Sequence, residues 1–199
     1  MMLVEETTTS DAGLPVGEFK AHLRLGTGFS EDQVQDALLQ SFLRAALSAI
    51  EARTGKILLE RDFSWVLAAW RDPVAQALPV APVTQVLEMV ITDRLGIEAP
   101  VSPDAWRLEP DMHRPRLVAT EACLPTVPRG GTARLTFRAG FGAAWGDIPA
   151  DLAQAVLLLA AHYYEYRDET SLGRGCMPFG VSSLIERYRT VRLLAGHSR

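Results

Sequence analysis

The stretch Leu152-Ala-Gln-Ala-Val-Leu-Leu-Leu-Ala-Ala161 decides how the rest of the chain is read. Nine of its ten residues are apolar, Gln154 being the exception. A helix of this kind is surrounded by protein on nearly every side and forms the axis of a core. Pro149 fits the first turn of that helix, with Asp151 close behind it where the helix dipole favours negative charge. Gly140, Gly142 and Gly146 mark the turn that precedes it. Burying Leu152, Val156, Leu157 and Leu159 contributes about 1.5–3 kcal/mol each in gross transfer terms, before chain entropy is subtracted. Ala155 to Ala161 is the longest apolar run, far short of the roughly 20 residues needed to span a bilayer.

A second long helix lies towards the N-terminus. Ser30 is its candidate N-cap, Glu31 and Asp32 occupy its first turn, and Gly55 stands where a C-terminal stop belongs. Val34, Leu38, Phe42, Ala46 and Ile50 recur at every fourth position, with Leu39, Leu43 and Leu47 alongside. They predict a core-facing arc, with Gln40, Arg44, Ser48 and Glu51 turned outward. Before it, Pro15 and Gly17 prepare a short helix carrying Phe19, Leu23 and Leu25. Residues 1–13 are acidic and polar and read as a flexible leader; they lack the cationic start and apolar stretch of a secretory signal, so cytoplasmic synthesis is expected.

Between the helices, from Lys56 to Arg138, the period shifts towards two, and nine prolines forbid long helices across most of the stretch. Phe63, Trp65 and Leu67 alternate within Arg61 to Trp70; Leu87, Met89 and Ile91 share a face in Val86 to Thr92; Ala133, Leu135 and Phe137 oppose Arg134 and Thr136. Trp106 and Leu108 supply another short strand. Each strand reads as half-buried antiparallel sheet. After a Gly/Pro loop from Gly173 to Gly180, Val181, Leu184, Ile185, Tyr188 and Val191 give the stripe of a last helix. The expected fold is therefore α+β and mainly α: a bundle of two long helices plus a C-terminal helix, with an antiparallel β-rich insert over 56–138. One domain spans 14–199, and 181–199 forms its C-terminal helix and tail.

The 199 residues carry 20 basic and 24 acidic side chains, a formal charge of -4, which argues against a broad phosphate-binding surface. Cys123 and Cys176 lie far apart with no ligand spacing, so inert, reduced thiols are the expectation and neither disulfide nor zinc is indicated. The chain offers little to catalysis. His162 and Glu165 sit three apart on one helical face with Glu169 a turn further on, but a second ligand-bearing helix is missing, and a solvated helix end is the better reading. The glycines at 140–146 lack both phosphate-cradling patterns and read as a connecting loop. Arg129-Gly130-Gly131 is explained by a tight turn. Tyr163, Tyr164 and Tyr166 suit a core or a partner equally. No catalytic residue, cofactor or metal is expected. Positive charge gathers at the end, in Arg187, Arg189, Arg192, His197 and Arg199, which reads either as a solvated helix face or as a docking arm anchored by Leu193 and Leu194.

Several segments, taken in order, resemble the head-tail connector family of long-tailed phages, and most of all the head-tail adaptor of gene transfer agents, phage-derived particles that package host DNA. They are Leu14-Pro-Val-Gly-Glu-Phe-Lys-Ala-His-Leu-Arg24, Ala49-Ile-Glu-Ala-Arg-Thr-Gly-Lys56, Leu78-Pro-Val-Ala-Pro-Val83, Phe137-Arg-Ala-Gly-Phe-Gly142, Ile148-Pro-Ala-Asp-Leu152, His162-Tyr-Tyr-Glu-Tyr-Arg167 and Tyr188-Arg189. The resemblance implies a ring of copies, a dodecamer, beneath the portal protein in the neck of a phage-like particle, assembled in the bacterial cytoplasm. It further implies a stopper or tail-completion protein on the opposite side and DNA passing through the lumen without sequence-specific binding. It implies a portal-docking role for the arm, carried here by Arg187, Tyr188, Arg189, Arg192, Leu193 and Leu194. No membrane partner follows from it. Two rival readings are a DNA-binding accessory protein using the basic C-terminal helix, and a metal-dependent hydrolase built on His162 and Glu165.

Overall fold

A computed structural model describes residues 2–9, 13–24, 33–166 and 177–189. The apolar stretch at 152–161 lies inside helix α3 (Ala150–Glu165), with Leu152, Ala155, Val156, Leu159 and Ala160 essentially inaccessible. It packs on α2 (Gln33–Thr54) and is flanked by α1 (Val16–His22) and α4 (Phe179–Ile185). Helix α2 buries Leu39, Leu43, Ala46, Leu47 and Ile50, while Leu38 is 43% exposed and Phe42 half-buried. The buried stripe thus runs one position beside the every-fourth row read from the sequence, because spacings of three and four together follow the 3.6-residue turn. Gly55 ends α2 with φ +69°, the left-handed conformation that glycine adopts without strain.

The region between the helices is larger and more ordered than an insert on a bundle. Strands β1 (Met2–Glu5), β2 (Arg61–Leu67), β8 (Thr132–Ala139), β4 (Val83–Thr92) and β5 (Glu98–Pro100) form one antiparallel sheet in that order. Strands β3 (Ala75–Ala77), β7 (Arg116–Ala119) and β6 (Trp106–Glu109) form a second, smaller sheet. The two sheets enclose a core of their own, built on Phe63, Trp65, Val86, Met89, Leu117, Leu135 and Phe137. Phe63 and Phe137 are cross-strand partners stacked 5.9 Å apart. With four α-helices beside eight strands among the described residues, the fold is α+β with a sheet-rich body rather than mainly α.

Three local expectations change. Residues 2–5 are not a loose leader: they form edge strand β1 on β2, with Leu3 opposite Trp65. Irregularities between Val83 and Gln85 and between Val86 and Glu88 interrupt the alternation of β4. Val86 and Met89 therefore face inward together and Leu87 is 39% exposed, since each extra residue flips the pleat. The last helix is short: α4 gives way to a single 3₁₀ turn, Glu186–Tyr188, and Arg189 is extended. Ser30 and residues 190–199 lie outside the described residues.

A strip at 55–60 joins the helical layer to the sandwich. Ile57 donates its amide to the Ala81 carbonyl (2.8 Å), and Glu60 donates to the carbonyl of Gly142 (2.8 Å). Glu51, read from the sequence as outward, instead turns into this joint. Its carboxylate takes a two-pronged contact from Arg61 at 2.7 Å and accepts the Leu58 amide at 2.8 Å. Desolvation pushes the Glu51 carboxyl above its ordinary pKa, outweighing the attraction of Arg61. Arg61 also reaches Glu5 at 3.1 Å, so one guanidinium ties α2, β2 and β1 together.

Candidate functional site

The root of the C-terminal arm is built on the first turn of α3. Asp151 stands there because helix N-termini favour carboxylates, and its Oδ1 accepts the Leu152 amide at 3.0 Å. Tyr188, at the end of the 3₁₀ turn, is 2% exposed and donates its hydroxyl to Asp151 Oδ1 at 2.7 Å. Arg187 pairs with Asp151 Oδ2 at 2.7 Å, donates to the Tyr188 hydroxyl, and lies over the Tyr188 ring. Phe141, at the end of β8, meets that ring edge-on with centroids 6.4 Å apart. Burial, reinforced by the bond to Asp151, raises the Tyr188 phenol above its ordinary pKa.

This geometry sorts the docking residues read from the sequence. Tyr188 is an internal anchor rather than a contact surface, because its ring is covered and its hydroxyl is used within the chain. Arg187 remains largely exposed, with its charge directed to Asp151. Arg189 is exposed and pairs with Glu186 at 2.9 Å. The structure thus brings Arg187, Tyr188 and Arg189 together on one short turn, while Arg192, Leu193 and Leu194 lie outside the described residues. Both described arginines already face a carboxylate of their own chain, which lowers the free positive charge that a DNA-binding helix would need.

The other candidates fall into place around this corner. His162 packs its ring against Tyr166 (4.7 Å), and among the described residues no group of three or more His, Cys, Asp or Glu is placed to hold a metal. Tyr164 packs edge-on against Phe42 and Tyr163 lines the helical core, whereas Tyr166 is 43% exposed. The Gly140–Gly146 loop is structural: a side chain at Gly140 would meet the Glu60 backbone at 2.4 Å, and Asp147 closes the turn by accepting the Ala144 amide. Cys123 is a free thiol and is exposed. No helix among the described residues is long and apolar enough to cross a membrane.

Two features escaped the sequence reading. Lys56 is wholly covered, with no hydrogen-bond partner for its ammonium group; burial lowers its pKa, against the pull of Asp111. Near it, Pro82, Val83, Pro110, Asp111, Met112 and Phe141 line a surface cavity of about 330 Å³. Phe141 therefore separates this cavity from the Tyr188 anchor. No sequence signal reveals the cavity, because Pro82 and Pro110 stand far apart along the chain and meet only in the fold.

Comparison with known proteins gives this corner a context. Solved structures match essentially end to end. One described as the neck of an empty GTA particle computed with C6 symmetry is 54% identical, with a TM-score of 0.89, over 98% of this chain and 99% of that one. A virion of a native gene transfer agent particle gives 53% identity and a TM-score of 0.86, with the same coverage. The neck of a native GTA particle computed with C12 symmetry gives 50% and 0.85, again over 98% and 99%. No protein-family model and no curated protein matches the chain. Over its whole length, then, the fold is that of a structural component of a phage-like particle neck. The chain belongs to the head-tail connector family, in its gene transfer agent branch, and its place is the particle neck.

Proposed function

We propose that this chain is the head-tail adaptor of a gene transfer agent: a ring of copies under the portal that joins the DNA-filled head to the tail and lines the DNA passage. The observation that carries the reading is the full-length match, at 50–54% identity, to chains in neck structures computed with C6 and C12 symmetry. A repeating neck component sits naturally in a closed ring of identical head-to-tail contacts. The net charge of -4 supports a passage lining, because numerous phosphate contacts would hold the DNA during delivery.

The portal is the proposed partner of the C-terminal arm, with Arg192, Leu193 and Leu194 as contacts and Tyr188 as the hinge post that fixes where the arm departs. Arginine flanked by leucines suits a partly apolar interface. The test is a chain ending at Arg189, which keeps the Tyr188 anchor. It is expected to fold normally and to be missing from purified particles, whereas normal incorporation of the shortened chain would overturn the docking role.

A further inference from the structure

The tip of the β4–β5 hairpin holds an apolar knob. Leu95 is 74% exposed and Ile97 is 64% exposed. The tip is braced: Asp93 Oδ1 accepts the amides of Leu95 (2.8 Å) and Ile97 (2.9 Å), and Gly96 takes φ +83° to close the turn. A braced projection displaying two large aliphatic side chains loses little conformational entropy on docking. Arg94 stands exposed beside them.

An open, mostly apolar depression lies at the far end of the same strand. The 330 Å³ cavity is framed by Pro82 and Val83 at the start of β4, Phe141 after β8, and Pro110, Asp111 and Met112 from the β6–β7 loop. Its walls are mostly apolar, and Met112 is 49% exposed at its mouth. Asp111 supplies a negative charge at the rim: its Oδ1 accepts the amides of His113 (2.7 Å) and Arg114 (2.6 Å), and its carboxylate also attracts the buried Lys56. Knob and cavity are separated by the ten residues of β4, roughly 30 Å.

We infer that copies of this chain join head to tail, with Leu95 and Ile97 of one protomer seated in the Pro82–Met112–Phe141 cavity of the next and Arg94 facing Asp111. The inference rests on the ring reading above and names its contact. A knob and a hole on opposite ends of one protomer make a heterologous contact, the kind that closes into a ring when the rotation per copy divides a full turn. Twelve repeats of roughly 30 Å give a perimeter of about 360 Å, a ring about 115 Å across.

The test is disulfide trapping in assembled particles, in a Cys123→Ser, Cys176→Ser background. Leu95→Cys with Met112→Cys is expected to give a ladder of covalent multimers on oxidation, and either cysteine alone to give none. If a carboxyl-reactive dihydrazide cross-linker yields the ladder and the cysteine pair does not, the ring stands and this contact is overturned. If neither reagent links copies that are present in the neck, the ring itself fails and the contact with it. Leu95→Asp provides a second measurement, expected to keep the unfolding midpoint and to cut incorporation at least tenfold; normal incorporation would overturn the inference.

Discussion

The two cores of this molecule are assembled in opposite ways. The helical core draws Leu14, Phe19 and α2 from the first third of the chain and α3, α4 and Tyr188 from the last, so it closes only when distant segments meet. The sandwich core comes from the continuous run between Ile57 and Ala139. The contrast teaches where function can be placed. The helical core fixes the exit of the C-terminal arm through Tyr188 and Asp151, and the sandwich carries the hairpin knob and most of the cavity, with Arg61 and Glu51 locking one to the other.

The comparison breaks most forcefully in the cores. Phe137→Ala, in the sandwich, is expected to cost about 3–5 kcal/mol, and Leu43→Ala, in the helical core, about 2–5 kcal/mol. Chemical denaturation followed both by tryptophan fluorescence and by far-UV circular dichroism should show one coincident transition for each variant. Separate transitions would mean that the cores fold independently. Glu51→Ala comes next, at about 3 kcal/mol, because it leaves the nearly buried Arg61 guanidinium with only the more exposed Glu5 as a partner. It is the variant expected to split the transition in two.

Tyr188→Phe keeps the ring packing and removes two hydrogen bonds, to Asp151 and from Arg187, for a loss of about 1–2 kcal/mol. It also has a pH signature. The folded-state pKa of Tyr188 is raised, so its contribution is fully present below the ordinary value of 10.0 and is lost as pH rises through the folded value. Denaturation midpoints measured at pH 8 and above pH 10 should show this alkaline loss in the parent chain and a smaller one in Tyr188→Phe, where Tyr163, whose phenol burial also raises, still contributes. The smallest effect belongs to Asp62, whose pKa is lowered chiefly by its hydrogen bond from Arg138. Its contribution is present above 3.8 and lost as pH falls through the folded value, and Asp62→Asn should flatten that acid limb slightly, less so in high salt.

Legibility followed locality. Helices α2 and α3 and strand β8 could be read because their periodicity is contained within each segment, as in the alternation from Thr132 to Ala139. Strand β1 could not, since Met2–Glu5 is defined by pairing with β2 more than 50 residues away. The bulge that exposes Leu87 and the second sheet are likewise products of pairing. At the candidate site the arginines were visible in the sequence, but the burial of Tyr188 was not, because its partners Asp151 and Phe141 arrive from α3 and β8. The knob at Leu95 and Ile97 reads in sequence as the apolar margin of a strand, and only the turn at Asp93 reveals that it projects.

The central claim, that this chain joins head to tail, is tested most directly by electron microscopy of particles from cells in which its gene is deleted. The account predicts DNA-filled heads and unattached tails in the same preparation, with joining restored when the chain is supplied. Intact tailed particles that deliver DNA normally without it would contradict the account.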